Sequence, residues 1–144
     1  MNKGPSHTTN AASSGARPKR LHLSMGGFHG GYYELEMNGG RLLFSPPGDE
    51  LSRTEISPTA SDWATFRKTI DSLKLWIWRE DYLDPNVCDG AQWSVLIDYS
   101  DRRIKANGSN AYPDEDGNPR NEMTEIFRGF LRAVEDLMGG RRFG

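Results

Sequence analysis

Apolar positions recur with two spacings along the chain, and the change from one to the other marks the elements. Leu21, Leu23 and Met25 alternate with His22 and Ser24, the period-two pattern of a strand with one buried face. The sequence Gly26-Gly27-Phe28-His29-Gly30-Gly31 reads as a loop. Tyr33, Leu35 and Met37 then alternate with Tyr32, Glu34 and Glu36, predicting a second strand. Asn38-Gly39-Gly40 is the strongest hairpin signal of the chain. Arg41 to Ser45 forms a third strand with Leu42 and Phe44 inward, stopped by Pro46-Pro47-Gly48. Leu51 to Ile56 is read as a fourth strand.

The spacing lengthens after Pro58. Trp63, Phe66, Ile70 and Leu73 lie three, four and three apart, which predicts a helix over 60–73 with one apolar stripe. Thr59 and Asp62 resemble a capping box at its start. Leu75 to Trp78 fits either more helix or a short extended segment. The extended reading is favoured, because bulky residues would otherwise surround the helix, and it sets Trp76 and Trp78 on one face. Residues 80–90 read as an irregular acidic connection broken by Pro85.

Residues 89–113 form the densest motif. Trp93, Val95, Ile97 and Tyr99 alternate with polar positions and Leu96, and Ile104 and Ala106 alternate with Arg103, Lys105 and Asn107. With Ser100-Asp101 as a two-residue turn, Ile97 faces Ile104, Asp98 faces Arg103, and Trp93 lies over Gly108. A polar loop over 114–119 follows, and Asn121 is placed to cap a last helix. Its apolar face holds Met123, Ile126, Phe127, Phe130, Leu131, Val134, Leu137 and Met138, and Gly139-Gly140 closes it. Strands and amphipathic helices in this order predict a two-layer α+β domain. It has an antiparallel sheet of about five strands with two helices on one face. The other face, carrying His22, Ser24, Glu34, Glu36, Asp98, Arg103 and Lys105, is expected to be wet.

Composition sharpens the boundaries. Residues 1–19 contain no aromatic residue and no Leu, Ile or Val, so they are expected to form a disordered tail. The single domain is placed at 20–140, with a frayed end at 141–144. The tail carries +3 and the whole 144-residue chain −2, leaving −5 on residues 20–144. An acidic domain lacks the electrostatic footprint of a nucleic-acid binder. Cys88 is the one cysteine, which suits a reducing, cytoplasmic setting. No apolar run has the length of a membrane span. No membrane partner is therefore expected.

Candidate chemistry is thin. A calcium loop starting at Asp114 would need glycine where Pro119 stands, so a solvated loop is the expectation. His7, His22 and His29 make no metal-ligand spacing, and His22 is expected to meet a carboxylate across the sheet. Gly108-Ser109-Asn110 is not a nucleophile elbow, and Cys88 beside Asp89 lacks an electropositive setting. No cofactor or metal is called for. The candidate binding residues are Phe28 and His29 in the glycine loop, Trp76 and Trp78, and Asp89, Ser109, Asn110 and Tyr112 where the outer ends of the hairpin meet.

The pieces Trp76-x-Trp78, Asp89-Gly90-x-Gln92-Trp93 and Gly108-Ser109-Asn110-Ala111-Tyr112-Pro113 resemble a group of bacterial proteins of unknown function over residues 21–138. Gly26-Gly27-Phe28-His29-Gly30 and the stretch Asp89 to Tyr99 are also similar to the layout of emfourin-like inhibitors of metalloproteases. That likeness implies a small inhibitor fold and assigns no residue a role here. The expectation is a non-enzymatic, cytoplasmic module that binds another protein. The alternatives are a small-ligand binder or enzyme using the pole of Asp89-Gly90 and Ser109 to Tyr112, and a structural subunit of a larger assembly.

Overall fold

A computed structural model describes residues 16–27, 30–48, 52–84 and 91–144. The elements run β1 (Arg20–Gly27), β2 (Gly31–Asn38), β3 (Arg41–Ser45), β4 (Thr54–Ile56), α1 (Ala60–Ser72), a 3-10 turn (Leu75–Ile77) and β5 (Asp81–Leu83). They continue with β6 (Ala91–Asp98), β7 (Arg103–Ser109), β8 (Tyr112–Pro113), β9 (Pro119–Arg120) and α2 (Glu125–Leu137). Seven strands form one sheet in the order β4-β3-β2-β1-β6-β7-β5, and β8 and β9 make a small ribbon. The α+β layout with two helices is as expected, but the sheet is wider than five strands. The difference includes β5, which pairs in parallel with β7 through Tyr82 opposite Gly108. Three residues are too few for an alternation to show.

The hairpin register is the predicted one. Ile97 faces Ile104, Asp98 faces Arg103 and Trp93 faces Gly108, and Tyr99 N donates to Arg102 O across Ser100-Asp101 at 2.8 Å. A Cβ on Gly108 would lie 2.3 Å from Trp93 Nε1, so only glycine admits the indole there. Trp93 sits within the aromatic core. Its ring centroid is 4.9 Å from that of Phe127, 5.7 Å from Tyr82 and 5.9 Å from Trp78, and its Nε1 donates to Ala111 O at 2.9 Å. Burying aromatic rings of this size dominates core energetics. Leu21, Leu23, Leu35, Leu42, Val95 and Ile97 present the inner sheet face to Trp63, Phe66 and Ile70 of α1 and to Phe127, Phe130 and Val134 of α2.

Thr59 and Asp62 close the capping box: each side chain bonds the other residue's backbone N–H. Five expectations are corrected. Leu75–Ile77 is a 3-10 turn entered through Lys74 in the left-handed region at φ 58°, so Trp76 and Trp78 do not share a face. Trp78 is buried and Trp76 half-buried. The cap of α2 is Thr124, whose Oγ1 accepts from Phe127 N at 3.1 Å, in place of Asn121. Gly26 and Gly27 belong to β1 instead of a loop. The end of the chain is not frayed at Phe143, which is buried beside Tyr33 with its N–H on Glu135 Oε2. Order also reaches back past Arg20: Ala16 is buried, and Lys19 N donates to Asp98 O at 2.7 Å. Residues 1–15 of the expected tail lie outside the described residues. Among the described residues, no helix is long and apolar enough to cross a membrane.

Candidate functional site on the open sheet face

Both helices cover one face of the sheet, and among the described residues nothing covers the other. Alternation sends every second side chain to that open face, and the pairing sets them in rows. One row reads Tyr32, Gly26, Gln92, Ser109, Leu83. The next reads Ser45, Glu34, Ser24, Ser94, Asn107, Asp81. A third reads Leu43, Glu36, His22, Leu96, Lys105. Arg20, Asp98 and Arg103 form the last. None of these side chains is buried, as expected for the wet face.

The rows are tied by polar contacts. Ser24 Oγ and Ser94 Oγ are 2.6 Å apart. Arg20 Nη2 meets Asp98 Oδ2 at 3.1 Å, and His22 Nε2 lies 3.9 Å from Glu34 Oε1, the expected cross-sheet carboxylate. Tyr32 Oη donates to Gln92 Oε1 at 2.8 Å. That bond spans β1, which is possible because the ring crosses Gly26: a Cβ there would lie 2.8 Å from Tyr32 Cδ2 and 2.3 Å from Gly31 O. Tyr32 remains 41% exposed and Leu83 68% exposed, so the row at this end is capped by two accessible apolar groups.

Among the described residues, shallow clefts open on this side. One of about 700 Å³ lies between Tyr32 and Leu83, floored by Ser24, Gln92, Ser94 and Asn107. One of about 330 Å³ lies on the other flank of Tyr32, against Glu34, Pro46 and Arg53. The third, about 650 Å³, sits at the far end among Arg17, Lys19, Arg20, His22 and Glu36.

The sequence-predicted site residues are scattered. Ser109 lines the larger cleft. Asn110 adopts φ 56° and turns inward, its Oδ1 accepting from Ala91 N at 3.1 Å and its N–H donating to Ala91 O at 2.9 Å. Tyr112 is buried with its ring 5.0 Å from Phe127, and desolvation raises its hydroxyl pKa. Hydrogen bonding and core packing account for these two positions. Trp78 stacks on Phe127 inside the core. Trp76 belongs to the opposite pole, where its Nε1 donates to Asp71 Oδ1 at 2.7 Å. Phe28, His29, Cys88 and Asp89 lie outside the described residues.

That opposite pole is a clamp. Arg67 bonds Asp101 through Nη1 and Nη2 at 3.1 and 2.8 Å and Asp71 through Nε at 2.9 Å, while its guanidinium stacks 4.5 Å from the Tyr99 ring centroid. The Asp101 bonds, joined by those to Asp71, outweigh partial burial and raise the Arg67 pKa. Arg67 in turn holds the Asp101 carboxyl below its ordinary range. Burial raises Tyr99, whose Oη has no hydrogen-bond partner among the described residues. In the 114–119 loop Asp114 Oδ1 accepts from Asp116 N and Asn118 N, both at 2.9 Å, and Oδ2 from Arg120 Nε at 3.1 Å. This carboxylate organises its own loop.

Tyr32, Gln92, Ser24, Ser94 and Asn107 were not singled out as site residues by sequence. Their shared face was readable from alternation, but the Tyr32–Gln92 bridge depends on β1 pairing with β6, which no local pattern reports. The chain matches no protein-family model, and it matches none of the curated proteins with which it was compared.

Proposed function

We propose that the chain is a small non-enzymatic protein-recognition module of the cytoplasm, inhibitor-like or adaptor-like, that binds through the open sheet face. The observation that carries this is the face itself: a seven-stranded sheet that the described residues leave uncovered on one side, with Tyr32 and Leu83 exposed along it. Exposed aromatic and aliphatic groups within a polar field are the composition of a protein-binding patch. The edges suit pairing less, since β4 and β5 are each three residues long.

The net −5 of residues 20–144 favours protein over nucleic acid as the partner.

Site-specific photo-crosslinking in a lysate of the producing cells tests the reading. A crosslinker carried at Ser94, on the open face, is expected to give discrete protein adducts. The same group at Arg132, on the exposed side of α2, is expected to give none of them. Equal adduct patterns from both positions, or no adduct from Ser94, would overturn it.

A further inference from the structure

Resting on the reading of the open face as a protein interface, we infer that its occupant is a second copy of this chain, docked face to face about a two-fold axis. The axis runs along the strands midway between β1 and β6.

The argument comes from the order of charges across the sheet. Glu34 and Glu36 lie on β2, and Arg103 and Lys105 on β7. Between them β1 and β6 carry the neutral pair Ser24 and Ser94 and the row His22, Leu96. A two-fold axis between β1 and β6 reverses each row onto its copy without shifting it along the strands. Glu36 then meets the partner's Lys105, because Glu36, His22, Leu96 and Lys105 form one row. In the neighbouring row Glu34 meets the partner's Asn107 and Ser24 meets the partner's Ser94. At one end Tyr32, whose ring lies over Gly26, meets the partner's Ser109 and Gln92. At the other end Arg20 meets the partner's Asp98.

No row sets like charges opposite each other. Moving the axis by half a strand spacing, to lie on β1, loses this match, since Glu36 would then face the partner's Leu96. Self-complementarity of one patch is what a two-fold interface requires, and complementary potentials select partners. The area is adequate. With strands about 4.8 Å apart and about 3.4 Å per residue, strands β2, β1, β6 and β7 and their flanks present on the order of 600 Å². Two copies then bury about 1,200 Å², the lower bound of standard interfaces. Sheets stacked this way pack within about 30° of alignment, the geometry that keeps rows in register near the axis.

Sedimentation equilibrium on the full chain tests the proposal. The wild type is expected to be dimeric at about 100 µM and to shift toward monomer as salt rises, since rim charges are screened. Glu36→Lys and Lys105→Glu are each expected to weaken dimerisation by about tenfold or more, because each creates two like-charge contacts per dimer. Mixing the two variants restores both contacts as opposite charges, so a heterodimer of wild-type strength is expected. The double variant E36K/K105E should likewise recover. A monomeric wild type at that concentration, or a dimer indifferent to salt and to both reversals, would overturn the proposal. Salt dependence needs no variant, so a misfolded substitution leaves the test intact. Crosslinks from Ser94 to other proteins only, beside a monomeric wild type, would reject the second copy and keep the open face as an interface.

Discussion

The two faces of the sheet use the same local device for opposite ends. On the covered face the Trp93 ring crosses Gly108, and on the open face the Tyr32 ring crosses Gly26. Trp93 is then enclosed by Phe127, Tyr82 and Trp78 and is 3% exposed. Tyr32 is secured at its hydroxyl by Gln92 and remains 41% exposed. A ring laid over glycine therefore does not by itself say core or surface. What decides is the parity of the strand position and whether a helix arrives above it. The covered face supplies the stability, and the open face is free to be shaped for contact.

That division can be broken by substitution. The largest effect is expected for Trp93→Ala, which removes a large buried ring that touches Phe127, Tyr82 and Trp78. Urea denaturation should show a loss of about 3–5 kcal/mol, and a loss near zero would mean that the covered face is not where stability resides. Gly108→Ala comes next, at about 1–3 kcal/mol, because the added Cβ meets an indole that cannot move aside. A neutral result would show that the core yields where it is drawn as tight.

The acid limb gives a smaller, directional effect. The Asp101 carboxyl is held below its ordinary value of 3.8 by Arg67, so the folded form stays unprotonated to lower pH than the unfolded form. Its contribution is complete above the ordinary value and is lost as the pH falls through the lowered one. Asp101→Asn should therefore flatten the pH dependence of the urea midpoint below about pH 4. An unchanged slope would detach Asp101 from the clamp. The smallest effect is expected for Ser94→Ala on the open face, within about 0.5 kcal/mol of wild type, although the same position is central to the proposed interface. A loss comparable to that of Gly108→Ala would erase the contrast between the faces.

The covered face was legible because its signals are local. Trp93, Val95 and Ile97 alternate over consecutive residues, and the Ile97–Ile104 pair fixes its hairpin with a turn of two residues. Thr59 and Asp62 announce the start of α1 within one turn of helix. The failures were short or remote. Asp81-Tyr82-Leu83 is too brief for an alternation, and its strand exists because Tyr82 packs beside Trp93. Its hydroxyl donates to Gly117 O and accepts from Arg79 N, both at 2.8 Å. Leu75–Ile77 turned on one left-handed residue, Lys74, which carries no glycine or asparagine signal. The open face was expected as a wet surface from His22, Ser24 and Glu34, but the Tyr32–Gln92 bridge was not, since its residues stand 60 apart in the chain.

The seam between β1 and β6 has a consequence for time as well as for structure. The hairpins β1–β2, β2–β3 and β6–β7 each close over a short stretch of chain and can form early. They unite only when β1 finds β6, a pairing that brings together residues such as Arg20 and Asp98, 78 positions apart. Loop closure over such a span must be met before any of its contacts repay it, and chains dominated by distant pairings fold slowly. The seam is therefore expected to be the slow step of folding, and until it closes the facing edges of β1 and β6 are both unpaired.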